Sequence, residues 1–297
     1  MDGVSVGDGY AEQLTRADLR LIAAVTEPPG PPGQSGPPGP PAQPGDPATL
    51  ERQLADPRVF EAIFGPDSLA SRETVLVSPF LAFAVAVHRA AADLAEVRYV
   101  AERSAARQRV PVFDAPELRD FLGSAERRLF LAELLSSFTR VTSGRYEVSV
   151  GGRSRTRRFS ELDPVRLAGL LDGVPDAERP GVYRRLGDVS LFVAGVFPDY
   201  ATLYGVGPAS VARLLSAAQV PAAEQERLAT VPAIELLEQL GARWYRAAHH
   251  LAPVRTARLD VVADVAGRFQ QARRVLNHIA DRYLFATDHP WFAPPAS

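Results

Sequence analysis

Cysteine is absent from this chain of 297 residues. That excludes disulfides, thiolate catalysis and Cys-ligated zinc or iron–sulfur centres. Lysine is absent too, so all 33 basic residues are Arg. A Schiff-base lysine and a P-loop lysine are thereby excluded, and any anion must be met by guanidinium or backbone N–H groups. Asn occurs once, at Asn277. The scarcity of residues with AT-rich codons, beside abundant Ala, Arg, Gly and Pro, points to a very GC-rich bacterial genome such as that of an actinomycete. Long apolar runs are also missing. The longest, Val75 to Val87, is interrupted by Ser78-Pro79 and is too short to span a bilayer. The N-terminal MDGVSVGDGYAEQL has no apolar segment of a secretory signal. A cytoplasmic protein with no membrane partner is expected.

Chemistry-bearing patterns are scarce as well. His249 and His250 are adjacent, so on a helix they point about 100° apart and cannot share one ion. His278 and Asp281 have a helical metal spacing, but lie off the apolar stripe beside Arg274 and Arg282; a solvated polar face is expected. His88 flanks an apolar stripe and reads as a hydrogen-bonded core histidine. No Glu-x-x-His pair recurs on two helices. No strand–turn–helix context is present to hold a G-x-S-x-G nucleophile, the Gly3-Val4-Ser5-Val6-Gly7 match lying in the polar N-terminus, and no G-x-G-x-x-G follows a strand. The sequence therefore assigns no catalytic residue, no metal and no cofactor, and it leans away from an enzyme.

What is present is a helical pattern in a globular composition: 46% hydrophobic and 23% charged residues, with a net charge of −2. Residues 1–27 predict a tethered N-terminal helix, which either docks or hangs free. Residues 28–47, PPGPPGQSGPPGPPAQPGDP, have the composition of a disordered polyproline-type linker. A helical domain is expected over 48–288, with a flexible tail over 289–297. Helices are predicted from Pro79 to about Arg103, Ala115 to Thr139, Asp163 to Leu171, Gly207 to Ala218, Ile234 to Leu251 and Ala257 to Phe285. Arg145 to Phe159 breaks this pattern. Tyr146, Val148 and Val150 alternate, and Gly151-Gly152 can turn the chain, which predicts a β-hairpin. The expected fold is mainly α, a multi-helix bundle-like domain with one small β-hairpin insertion.

The segment Tyr183 to Tyr204, YRRLGDVSLFVAGVFPDYATLY, carries the strongest signal. Val182, Leu186, Val189, Val193 and Val196 form one helical stripe, while Leu191 and Phe192 make the other side apolar as well. Such a helix is buried on most sides. Asp188 lies in it and must be paired there; Arg184, one turn earlier, is within reach. Asp188, Arg184, Gly195 and Tyr204 are the candidate pocket residues. Leu186-Gly187-Asp188, Gly195 and Phe197-Pro198 resemble a segment shared by a set of uncharacterised helical bacterial proteins. The resemblance covers this middle stretch alone and implies a bacterial helical domain without an assigned activity.

A second group of residues reads as anion-binding. Arg145, Arg153, Arg155, Arg157 and Arg158 cluster in the predicted hairpin with Glu147 as the one acid. Leu203-Tyr204-Gly205-Val206-Gly207-Pro208, followed by Val211 and Leu214-Leu215, resembles the hairpin of helix-hairpin-helix DNA-binding proteins. There a Gly-x-Gly turn presents backbone amides to phosphate. Ala209 and Val211 depart from that pattern, which usually has a basic residue and a small Ala. The leading expectation is a non-enzymatic module that binds another protein, a second copy of itself or a small apolar ligand. Nucleic-acid binding through Gly205, Gly207 and the arginines comes second. An enzyme using Asp188 with a histidine comes third.

Overall fold

The computed structural model describes residues 6–26, 47–65, 77–105, 108–140, 143–150, 153–203 and 207–285. Among them the fold is mainly α, with fifteen α-helices and two two-stranded antiparallel hairpins. None of these helices is long and apolar enough to cross a membrane. Of the expected linker 28–47, residues 28–46 lie outside the described residues, as do the tail 289–297, Tyr204 and Gly205, while Pro47 already begins a helix.

The N-terminal part is two helices rather than one, α1 (Val6–Gln13) and α2 (Arg16–Thr26). The break has a local cause. Thr15 Oγ1 accepts the Asp18 N–H at 3.1 Å, while Asp18 accepts the Thr15 N–H at 2.8 Å, a reciprocal cap of the capping-box type. Both helices dock. Tyr10, Leu14 and Ile22 are buried with residues of α3 (Pro47–Leu54), α4 (Pro57–Phe64) and α5 (Pro79–Glu96) in an N-terminal core. Asp18, itself buried, also accepts the Ser78 N–H at 3.0 Å. Ser78 in turn caps α5, where Pro79 takes the first-turn place. α5 is apolar all round because it is a wall between two cores: Phe80, Leu81, Ala84 and Val85 face the N-terminal one, while Phe83, Ala86 and Val87 face the main one.

After α5 the chain departs from the predicted long helix. Val97 ends it, and β1 (Val100–Ala105) pairs with β2 (Gln108–Val112) as a hairpin absent from the sequence expectation. The predicted helix over 115–139 is also two, α6 (Ala115–Gly123) and α7 (Ala125–Ser137), because the Ser124 hydroxyl accepts the Arg127 N–H and starts a new helix. The expected hairpin is β3 (Ser143–Val150) with β4 (Arg153–Ser160). Asp163 then caps α8 (Pro164–Ala168) by accepting the Val165 and Arg166 N–H groups.

α9 (Arg179–Val196) is the central helix of the main core, buried from Leu186 to Val196. It is followed by α10 (Pro198–Leu203), α11 (Pro208–Ala217) and α12 (Ala222–Ala229). Its most extensive contact is with α13 (Ala233–Leu251); α14 (Ala257–Gly267) and α15 (Phe269–Ile279) complete the core. Two glycines permit the close approaches. A Cβ at Gly187 would stand 2.3 Å from the Tyr245 ring, and one at Gly195 would stand 2.7 Å from Leu276 Cβ and 3.1 Å from the Arg273 carbonyl oxygen.

Candidate functional site

Asp188 is buried on α9, and the expected pair forms: Arg184 Nε donates to its Oδ1 at 2.9 Å. A third member comes from α13. The hydroxyl of Tyr245, a fully buried side chain, donates to the same oxygen at 2.8 Å. Burial and then the Asp188 charge raise the Tyr245 pKa well above the usual phenol range, so the phenol keeps its proton and remains a donor. Burial alone would lower the Arg184 pKa, but Asp188 and its neighbours outweigh it and hold the guanidinium charged. That guanidinium lies over the Phe130 ring, 5.2 Å from its centroid. The sequence pointed to Arg184 and Asp188 and missed Tyr245. Its signal was a Tyr beside the buried stripe of α13, since a buried phenol O–H usually has a partner.

Arg184 leads from this buried pair to a cleft of about 290 Å³ between α1, α7, α9 and α14. Val6, Leu129, Phe130 and Val261 give it apolar walls; Glu126, Glu133, Arg184 and Arg258 give it charge. Four loci far apart in sequence are brought together here, which is why no local motif announced the cleft. Glu133 and Arg258 went unnoticed for that reason. Gly195 is not part of it; it packs on α15 at the far end of α9.

Among the described residues no histidine is a polar partner of Asp188. His88 meets Tyr10, with Nε2 and the phenol oxygen 3.2 Å apart, as a core histidine should. His249 Nε2 lies 3.0 Å from Asp260 Oδ1. The face bearing His278 and Asp281 is half-buried rather than fully solvated, because the β1–β2 hairpin lies against it, while Arg282 beside them stays exposed. Arg109 of β2 makes two bonds to Asp281, at 2.9 and 2.7 Å, and Arg274 pairs with Glu102 of β1 and with Asp114. Among the described residues no three His, Asp or Glu side chains are grouped as a metal site.

The candidate anion-binding residues fall on two elements that share a neighbour. In the β3–β4 register Arg145 is opposite Arg158, Tyr146 opposite Arg157, Val148 opposite Arg155 and Val150 opposite Arg153. The pleat therefore places Arg153, Arg155 and Arg157 on one face with Val150, Val148 and Tyr146. α8 packs against both β4 and α11, and Gly207 is the residue before α11. The Gly207 φ of −58° is ordinary backbone, and a Cβ there would meet nothing within 4 Å. Gly207 thus lacks the conformational constraint of a glycine required by a phosphate-binding turn.

Compared with family models, with curated proteins and with solved structures, the chain matches none.

Proposed function

We propose that this protein is a binding module whose ligand is a small amphipathic molecule held in the cleft between α1, α7, α9 and α14. The observation that carries this reading is the apolar-walled cleft with a guanidinium fixed in its wall. Arg184 is held from behind by Asp188, which is held in turn by Tyr245, and it is braced on Phe130. Small-ligand sites have this build, mostly apolar walls with a few polar groups held in place. The pairing also supports a non-enzymatic role. Asp188 Oδ1 receives two donors, and a carboxylate so engaged is a poor general base. The test uses the uncharged fluorophore N-phenyl-1-naphthylamine. Its emission should rise and saturate with the wild-type protein. Ala257→Trp, a change at an exposed position on the cleft, should remove that rise without lowering the melting temperature. Equal binding to both proteins would place the ligand elsewhere.

The β3–β4 register favours a second reading, a polyanion or nucleic acid held by the Arg153–Arg155–Arg157 face. The net charge of −2 and Ala209 in place of a basic residue rank it below the cleft.

A further inference from the structure

We infer that the cleft takes a small apolar amine, with its ammonium group against Glu133; this rests on the cleft being the ligand site. The argument is a balance of charge. Two guanidiniums and two carboxylates line the cleft, but each guanidinium already has a carboxylate of its own behind the lining. Arg184 Nε donates to Asp188 at 2.9 Å, and Arg258 Nη2 donates to Glu12 at 2.7 Å. With those partners counted, two arginines face four acids, and the excess is two negative charges. Glu126 accepts the Ser124 hydroxyl at 2.7 Å. Glu133 Oε1 is closed off from solvent and accepts no hydrogen bond among the described residues. The cation paired with it, Arg258, stands 3.8 Å away, beyond hydrogen-bonding reach.

A buried carboxylate oxygen short of a donor is costly. Burial accordingly pushes the Glu133 pKa above the usual carboxylate range, against the pull of Arg258 and Arg184. An ammonium group would bring the partly exposed Glu133 carboxylate a compensating charge, and would give Oε1 a donor once the side chain turns that oxygen toward the cleft. A carboxylate ligand would bring neither, and would add a third negative charge. Val6, Leu129, Phe130 and Val261 are left to hold the apolar body. A volume of about 290 Å³, just below the usual range for ligand pockets, favours a small body of one to three rings or a short alkyl chain.

Calorimetric titration of the full chain with 2-phenylethylamine and with 3-phenylpropionate, a similarly shaped anion, tests this, with N-phenyl-1-naphthylamine as the uncharged reference. The amine should bind and displace the fluorophore, and the anion should bind at least tenfold more weakly. Glu133→Gln should weaken the amine at least tenfold and the uncharged fluorophore, which has no ionic contact with Glu133 to lose, by less than threefold. If Glu133→Gln does not fold, Glu133→Asp serves, and should weaken the amine more than the fluorophore. Amine and anion binding alike, or an amine indifferent to both variants, would overturn the ligand class while the fluorophore still reports a working cleft. Failure of all three probes would overturn the cleft itself.

Discussion

Asp188 shows how one buried acid is kept in an apolar helix. Its Oδ1 collects the Arg184 Nε–H and the Tyr245 O–H, and each donor depends on it differently. Arg184 keeps about a third of its side chain in solvent, at 30% exposure, and can turn to water if the acid is removed. Tyr245 is fully buried and cannot. Asp188→Ala should therefore cost roughly 1–3 kcal/mol, the range for a buried polar group left without its partner. Asp188→Asn keeps an acceptor for the phenol and should cost less. Tyr245→Phe removes donor and demand together, so in that background Asp188→Ala should be cheaper than in the wild type. Urea unfolding of the wild type and the four variants gives the comparison. Additive costs would mean that Tyr245 and Asp188 are not coupled through this bond.

At the scale of elements, the β3–β4 ribbon carries the most exposed consequence of a lysine-free chain. Arg153, Arg155 and Arg157 alternate along one strand face, and if that face grips phosphate its affinity must fall steeply with salt. Binding to heparin or duplex DNA should be weak, blind to sequence and lost near physiological ionic strength. Arg155→Ala with Arg157→Ala should flatten the salt slope. A salt-resistant complex would promote the ribbon above the cleft. This ribbon was legible because Tyr146, Val148 and Val150 alternate and Gly-Gly follows. β1–β2 was not, because Ala101, Glu102, Arg103 and Ala105 favour helix and simply prolong the pattern of α5. Tertiary contacts decide it instead. Asn277, the one Asn of the chain, is buried; its amide oxygen accepts the Arg103 N–H at 2.9 Å and its amide nitrogen donates to the Gly195 carbonyl at 3.3 Å. One side chain thereby ties β1 to α9 and α15. Helix breaks were hidden for a related reason. The apolar stripes of the 115–139 and 257–285 stretches run on through Ser124 and Arg268, so periodicity alone does not show where the backbone turns.

The described residues form two cores that share α5 and α7, and the N-terminal one is closed by α1 and α2. The linker separates α2 from α3 in sequence, yet in space both helices belong to the same core, a long-range fact that composition could not reveal. Its polar centre is His88 with Tyr10. The imidazole is 6% exposed, its ring centroid is 5.7 Å from that of Tyr10, and the two side chains meet at 3.2 Å. Burial, helped by the Arg128 charge, pushes the His88 pKa from 6.5 down to about 3, so the folded protein holds it neutral. The unfolded chain takes up a proton near pH 6.5 that the folded chain refuses until about pH 3. The stabilisation is thus complete above pH 6.5 and is lost as pH falls toward 3, at up to about 1.4 kcal/mol per unit. Between pH 7.5 and 4.5 His88 alone should remove about 2–3 kcal/mol. Other groups titrate in the same window, so the measurement is a difference. Urea unfolding of wild type and His88→Gln is followed at both pH values. The variant keeps a polar group for Tyr10 and should be less stable at pH 7.5, but it should lose about 2–3 kcal/mol less than wild type on acidification. Equal losses in the two proteins would mean that His88 protonates freely in the folded state, and that α1 does not seal it from water.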